Sequence, residues 1–337
     1  TGGGNTAAGL EAMKSNTTGN YNTAIGHTSL TTNTTGFGNS AFGRSSLNGN
    51  TTGSSNTAIG YLTLYANTTG SDNTALGTQA LFSNITGGSN IAIGFLSSYN
   101  ATAAASNVAI GRESLFANIT GNSNVAIGYK ALKVNTAHNN VAVGYDALID
   151  NTTGTYGVAS GYGALANNTT GNFNVAYGGQ ALAANTTPSY NTAIGYSAMK
   201  SNTTGEKSTG VGSLALYSNT TGFRNSAFGH SSLNSNTTGN NNAANGYGAL
   251  TANTTGVNNT AVGSLSGATN STGNSNTSIG YSALRYNTGS NNTASGVYSL
   301  EDNTTGYSNT ATGYAASQAN TTGINNVAIG WKSLFTN

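Results

Sequence analysis

One phrase of seventeen residues, close to Asn-Thr-Thr-Gly-x-x-Asn-Thr-Ala-Ile-Gly-Tyr-x-Ala-Leu-x-x, recurs about twenty times along this chain of 337 residues. The glycine after Ala-Ile marks the period, because it returns every seventeen residues from Gly9 to Gly330 with only two steps of sixteen. Both short steps fall in the Asn-Thr-Thr-Gly segment, at residues 135–138 and 287–289, where a surface turn tolerates a deletion. A fixed period of this length predicts a solenoid, in which each unit buries its apolar face against the next.

Charge is scarce, and this restricts the classes of partner. Charged residues are 5% of the chain and the net charge is +2, whereas ordinary globular proteins carry about 25% charged residues. Nucleic acids and anionic membranes are bound by a basic stripe, and the sequence contains none. The sequence has no run of about eighteen apolar residues, which is the length that predicts a membrane span. It also has no cysteine and therefore no disulfide framework.

The two ends of the sequence both fall inside a repeat. Thr1 and Gly2 read as the end of one Asn-Thr-Thr-Gly turn, and Asn337 reads as the start of another. Finished repeat arrays end in atypical capping units. We therefore expect residues 1–337 to be a single continuous repeat array within a longer protein.

The residues inside each unit favour short β-strands over helices. Thr23 is replaced by Val in other copies, and Ile25 follows two residues later, which predicts that these two side chains share the inward face of a strand. Ala24 is then expected to point the other way. A second apolar anchor recurs at the position of Leu30. The glycine after Ile is expected to form a tight corner and the glycine of Asn-Thr-Thr-Gly a left-handed turn, giving two short strands per unit.

The predicted fold class is therefore all-β, a parallel β-solenoid or β-roll of about twenty seventeen-residue coils. Two apolar anchors in each unit make a thin core, so stabilisation from other contacts is needed. Asparagine fills nineteen of twenty first turn positions, Ala101 being the exception, and also precedes most strands. In-register asparagines on successive coils are expected to form amide ladders. A broken outer ladder of aromatic side chains is expected at Tyr61, Tyr129, Tyr145, Tyr162, Tyr196, Tyr247, Tyr281, Tyr314 and Trp331.

The phrase Asn-Val-Ala-Ile-Gly, found at residues 107–111, 124–128 and 326–330, resembles the repeat of YadA-like trimeric autotransporter adhesin heads. The longer phrase is similar to repeats of tail-fibre-like surface proteins. The resemblance implies a left-handed parallel β-roll, three chains wrapped together as a homotrimer, and display outside the cell for binding to matrix or host surfaces. The period differs, since those heads repeat at about fourteen residues.

The turn also contains an acceptor pattern for N-linked sugar, Asn-x-Thr. An exposed turn with a hydroxyl two residues after the asparagine suits this modification, although Asn, Thr and Gly are also ordinary ladder and turn residues. Sugar on the threonine hydroxyls is a further alternative. The candidate acceptors are Asn16, Asn33, Asn50, Asn67, Asn84, Asn100, Asn118, Asn151, Asn168, Asn185, Asn202, Asn219, Asn236, Asn253, Asn270, Asn303 and Asn320.

No motif for catalysis, a metal or a cofactor stands out. His27 and His230 are twelve units apart and His138 lies in a turn, so they are not expected to share a metal or a catalytic triad. The acidic residues are expected to lie in separate columns without the pairing that carboxylate catalysis uses. These are Glu11, Asp72, Glu113, Asp146 and Asp302, among others.

Two classes of function remain. The first is a structural segment of an extracellular surface fibre that associates with itself along the fibre or as a trimer and carries glycans on its turns. The second is an adhesin or carbohydrate-binding head that uses the tyrosine column to recognise surface carbohydrate. Ice binding ranks third, because Thr17 and Thr18 are adjacent and should diverge rather than share one flat face.

Overall fold

A computed structural model describes residues 2–335. The chain forms two compact units, Thr1–Gly171 and Asn172–Asn337. In each unit, every seventeen-residue phrase makes one turn of a parallel β-solenoid, called a coil below. Each coil runs from the first residue of one Asn-Thr-Thr-Gly turn to the residue before the next. The prediction of an all-β solenoid is confirmed.

Each coil contributes one strand of three residues. In the first unit the strands are β1 Thr6–Ala8, β2 Thr23–Ile25, β3 Ser40–Phe42, β4 Thr57–Ile59, β5 Thr74–Leu76, β6 Ile91–Ile93, β7 Val108–Ile110, β8 Val125–Ile127, β9 Val141–Val143 and β10 Val158–Ser160. In the second unit they are β11 Val175–Tyr177, β12 Thr192–Ile194, β13 Thr209–Val211, β14 Ser226–Phe228, β15 Ala243–Asn245, β16 Thr260–Val262, β17 Thr277–Ile279, β18 Thr293–Ser295, β19 Thr310–Thr312 and β20 Val327–Ile329. Two strands per coil were expected, and this is wrong for residues 2–335, because the rest of each coil is bends and turns.

Within each unit, consecutive strands pair in parallel with no shift of register. Ala24 of β2 lies opposite Ala41 of β3, and Ala193 of β12 lies opposite Gly210 of β13. Each position of the phrase therefore forms a column of equivalent side chains along a unit, spaced by about 4.8 Å. The two sixteen-residue coils keep this register, since Ala126 lies opposite Ala142 and Ser278 lies opposite Ala294.

The strands face the opposite way from our expectation. Ala24 is 0% exposed whereas Ile25 is 42% exposed, and the same pattern recurs in most coils. The interior beside the strand is already filled by the leucine column, so it has room for a methyl group and excludes a larger side chain. Thr23 and Ile25 therefore lie on the outer face of the sheet.

The leucine column forms the centre of the apolar core, as predicted. Its large side chains are fully buried, and burial of each contributes about 1.5–3 kcal/mol. Its members include Leu30, Leu47, Leu64, Leu81, Leu115, Leu132, Leu148 and Leu165 in the first unit and Leu182, Met199, Leu216 and Leu233 in the second.

The backbone at this column is unusual, because Leu30 and the residue two before it, Thr28, are both left-handed, with φ of 51° and 52°. Left-handed residues other than glycine cost about 1–2 kcal/mol each, and such conformations persist only where surrounding contacts enforce them. Here the Leu30 N–H donates to Ser46 O on the next coil (2.9 Å), and the Thr28 N–H donates to Leu10 O on the previous coil (2.8 Å). Stacking in both directions fixes this bend.

The two glycines of each coil have different roles. Gly26, after the strand, has φ of 139°, which supports the predicted corner. The expected left-handed glycine in the turn is wrong, because Gly36 and its equivalents do not have positive φ. A Cβ on Gly36 would overlap the carbonyl oxygen of Gly53 on the next coil and lie 2.5 Å from Asn33 Oδ1. Close approach of two backbones therefore explains glycine in the turn.

Candidate functional site: the Asn-Thr-Thr-Gly turn

The first asparagine of the turn points into the solenoid. Asn50 Nδ2 donates to Asn33 Oδ1 on the previous coil (2.8 Å) and to the Gly53 carbonyl of its own turn (2.9 Å). Asn67 Nδ2 donates in turn to Asn50 Oδ1 (2.7 Å). This column of first asparagines is called the turn ladder, and it confirms one of the two expected amide ladders.

A second amide ladder lies beside it, formed by the asparagines that precede the strands, and is called the strand ladder. The Asn39 backbone N–H donates to Asn22 Oδ1 (2.9 Å), and Asn39 Nδ2 donates to Gly53 O on the next coil (2.9 Å). Gly53 O therefore accepts bonds from both ladders. Each buried hydrogen bond contributes about 1 kcal/mol, and an amide left unsatisfied costs about 1–3 kcal/mol.

The structure places nearly all the candidate glycosylation asparagines in the turn ladder. Their side-chain nitrogens, to which N-linked sugar would be attached, are buried and donate hydrogen bonds inside the solenoid. Asn16 is half-buried, and Asn100 is half-buried outside the ladder at the end of its coil. The others are buried, namely Asn33, Asn50, Asn67, Asn84, Asn118, Asn151 and Asn168 in the first unit and Asn185, Asn202, Asn219, Asn236, Asn253, Asn270, Asn303 and Asn320 in the second.

The two threonines of the turn have different environments. Thr34 Oγ1 donates to Thr51 O on the next coil (3.0 Å), and Thr51 Oγ1 donates to Thr68 O (3.0 Å). These first threonines are called the inner threonines. The second threonines, such as Thr35 and Thr52, are exposed and are called the outer threonines. The outer threonines are Thr18, Thr35, Thr52, Thr69, Thr86, Thr120, Thr153 and Thr170 in the first unit and Thr187, Thr204, Thr221, Thr238, Thr255, Thr272, Thr305 and Thr322 in the second.

The outer face of each sheet is apolar and largely without charge. In the first unit it carries a column of threonine, serine, valine and isoleucine beside a column of exposed Ile25, Phe42, Ile59 and Leu76. A contiguous apolar patch of this kind is typical of an interaction surface. This face was expected to be interior, so sequence reasoning missed it.

The predicted aromatic column is confirmed in part. Tyr145 stacks on Tyr129 and on Tyr162, with ring centroids 4.9 and 5.5 Å apart. Arg112 extends this stack, since its guanidinium lies 6.0 Å from the Tyr129 ring. Tyr281 and Tyr314 instead make edge contacts with Tyr298.

A second aromatic column, at the residue after the buried leucine, was not predicted. Tyr65, Phe82, Tyr99 and Phe116 stack with centroid distances of 5.1–5.4 Å. The signal for it was the recurrence of aromatic residues at steps of seventeen. Because the rings in both stacks cover each other's faces, they present mainly edges outward.

The expected placement of the acidic residues in separate columns is wrong in the first unit, where Glu11, Glu113 and Asp146 all lie two residues after the corner glycine. Glu113 and Asp146 are two coils apart, and Lys130 occupies the same position on the coil between them. A hydrogen bond from Lys133 lowers the pKa of Glu113, whose carboxylate is 2.9 Å from Lys133 Nζ. Burial raises the pKa of Asp146, and its Oδ1 atom is buried without a hydrogen-bond partner.

The histidines lie apart from one another. His230 stacks on Tyr247 at 5.6 Å, and His138 Nδ1 accepts a hydrogen bond from the Asn122 N–H (2.9 Å). Within residues 2–335, no group of three or more histidine, cysteine, aspartate or glutamate side chains could hold a metal ion. No helix in that same range is long and apolar enough to cross a membrane.

No family model matches the chain, and no curated protein matches it closely enough to count as related.

Proposed function

We propose that the chain is a structural repeat segment of an extracellular surface fibre and that its turns carry covalent sugar. The main support is that the interior side chains hold one coil to the next, and that the same contacts recur along each unit. Gly36 O accepts from Asn33 and Asn22, and Gly53 O accepts from Asn50 and Asn39. Equivalent coils suit a load-bearing or spacing element, whereas an enzyme needs one distinct site.

The outer sheet face supports self-association of this segment, side by side with further copies. A face about 10 Å wide along ten coils spaced by about 4.8 Å covers about 480 Å² in each unit. One unit alone falls short of the roughly 800 Å² per partner of a standard interface, so stable association requires contacts from each unit. This proposal agrees with the trimer that the resemblance to YadA-like heads implies.

The carbohydrate-binding alternative receives less support from the geometry. Sugar rings bind aromatic side chains by lying against the ring face. In the stacks around Tyr145 and Tyr99, neighbouring rings already cover these faces. We therefore do not propose these two stacks as a sugar-binding site.

The test is immunogold labelling of the producing cells, followed by cryo-electron microscopy of the labelled material. We expect label on filaments outside the cell, an axial repeat near 4.8 Å, and more than one solenoid in cross-section. Label confined to the cell interior would overturn the surface-fibre proposal. Filaments with a single solenoid in cross-section would overturn only the side-by-side association.

A further inference from the structure

The outer threonines are exposed at every coil in which they occur, from Thr18 to Thr322. Among the described residues, their hydroxyls make no hydrogen bond to another coil, whereas the inner threonines do. Thr52 is thus exposed beside Thr51, whose hydroxyl bonds to Thr68 O (3.0 Å). Within one turn, the inner threonine therefore bonds to the next coil, whereas the outer threonine does not.

Three turns show that the fold does not need the outer threonine. In the turn at 101–104, Ala103 occupies its position. The two sixteen-residue coils lack this position altogether, yet their inner threonines keep the bond to the next coil. Thr136 Oγ1 donates to Thr152 O and Thr288 Oγ1 donates to Thr304 O, both at 2.9 Å.

Turn chemistry does not explain the threonine either. Glycine, proline, asparagine, aspartate and serine are the residues that turns favour, and β-branched threonine is not prominent among them. Even so, threonine fills the outer position in every full turn of the described residues except the one with Ala103. An exposed residue that the fold does not use, but that recurs in register, indicates a role outside the fold.

We propose that the outer threonines are acceptors for O-linked sugar, attached at Oγ1. This inference rests on the proposed function and assigns the atom that carries the sugar. The asparagine alternative would replace one N–H of a buried Nδ2 that donates two hydrogen bonds, as at Asn50, and would require space for a sugar inside the solenoid. The outer hydroxyl is accessible without any change in the coil.

The modification is a glycosyl transfer from a nucleotide-activated sugar, catalysed by a separate transferase. Thr52 Oγ1 forms a bond to the anomeric carbon, and the bond from that carbon to the diphosphate breaks. The electron pair leaves with the nucleoside diphosphate, and the hydroxyl proton passes to a base of the transferase. One acceptor in each coil that has an outer threonine places the sugars in a column along one edge of each unit.

The test is site mapping on protein isolated from the producing cells, using electron-transfer fragmentation of its glycopeptides. We expect sugar mass on Thr35, Thr52 and Thr69, and none on the inner threonines or the ladder asparagines. The turns at residues 101–104, 135–137 and 287–289 are internal controls, because they have no outer threonine and should carry no sugar.

Two variants expressed in the same cells sharpen the test. T52A, which copies the natural Ala103, should lose the sugar of one turn and keep the circular dichroism spectrum. T51A should keep the sugar on Thr52. Sugar found on the asparagines or inner threonines would overturn this inference while leaving the decorated-fibre proposal intact. Absence of all sugar would overturn both the inference and the decoration, whereas the location outside the cell is judged by immunogold labelling alone.

Discussion

The turn at 50–53 and the turn at 101–104 perform the same connection with different residues. In the first, Asn50 bonds to the previous coil and to Gly53 O. In the second, Ala101 replaces the asparagine and Ala104 replaces the glycine, and both are buried. The strands around the second turn stay paired in register.

The cost of that replacement appears on the neighbouring coils. Asn84 Oδ1 is buried and has no hydrogen-bond partner, because Ala101 offers no donor to it. On the other side, Asn118 Nδ2 finds no amide oxygen at Ala101 and donates to Gly121 O of its own turn (2.8 Å). The loss of one asparagine from the turn ladder is therefore tolerated, because the stability of the array comes from many equivalent small contributions.

The replacement of the ladder asparagine by Ala101 also explains why alanine can occupy the fourth turn position, at Ala104. A Cβ on Gly53 would lie 2.5 Å from Asn50 Oδ1 and 2.9 Å from Asn67 Nδ2. In the turn at 101–104, Ala101 has no amide oxygen to meet the methyl group of Ala104. Ladder asparagine and turn glycine thus depend on each other.

The largest predicted effect follows from placing an alanine in the regular turn. G53A should destabilise its coil by about 3 kcal/mol, because its methyl group would meet Asn50 Oδ1 as well as the Gly70 carbonyl, and such overpacking costs about 1–3 kcal/mol or more. Amide hydrogen exchange of residues 33–84 measures this, since repeat arrays open locally. The control is G179A, whose Cβ would only meet the Tyr196 ring at 3.6 Å. Equal exchange in both variants would contradict the close-packing explanation.

The two turns also show what could be predicted from sequence. The period of seventeen, the asparagine ladders and the leucine column followed from residue spacing alone, because in-register stacking converts sequence period into columns. The sheet face was assigned wrongly because isoleucine was ranked above alanine as a core residue. A restriction to small residues was the better sign of the buried position. The position of Ala24 holds only alanine, Gly210 or Ser278, whereas the position of Ile25 holds many different residues.

Other features could not be predicted from local preference. Left-handed leucine is intrinsically unfavourable, so only the bonds to the coils on both sides reveal why Leu30 adopts it. The separation of the turn into a buried asparagine and an exposed outer threonine also depends on the stacked coils. The acceptor pattern Asn-x-Thr is present in the sequence whether the asparagine is buried or exposed.

A smaller effect of opposite sign is expected when the ladder is completed in the irregular turn. The double variant A101N/A104G should stabilise residues 84–118 by about 1–2 kcal/mol, because Asn84 Oδ1 gains a donor and a new amide bonds in the interior. A101N alone should gain less, since the methyl group of Ala104 stays beside the new oxygen. A104G alone should lose about 0.5–1 kcal/mol through backbone entropy. A double-mutant cycle by hydrogen exchange gives the coupling energy, and a value of zero would contradict the dependence of asparagine on glycine.

The smallest predicted effect concerns acid, because the two coils differ in charge. The coil at 50–66 has no charged residue, whereas the coil at 101–117 contains Arg112 and Glu113. The bond from Lys133 lowers the pKa of Glu113 in the folded state. Its contribution to stability is therefore complete above the unfolded pKa of about 4.3 and is lost as the pH falls through the lower folded value.

E113Q should accordingly speed hydrogen exchange near residues 101–133 at pH 7, by an amount that corresponds to less than about 1 kcal/mol for such a partly exposed pair. At about pH 2.5, where the unfolded carboxyl is protonated, the difference between variant and parent should shrink. Asp146, whose pKa is raised by burial, changes in the opposite direction but is present in both proteins and cancels in the comparison. Exchange of residues 50–66 is the control and should not differ between parent and E113Q at either pH. A difference near residues 101–133 that is as large at pH 2.5 as at pH 7 would show that Glu113 acts through packing rather than through its charge.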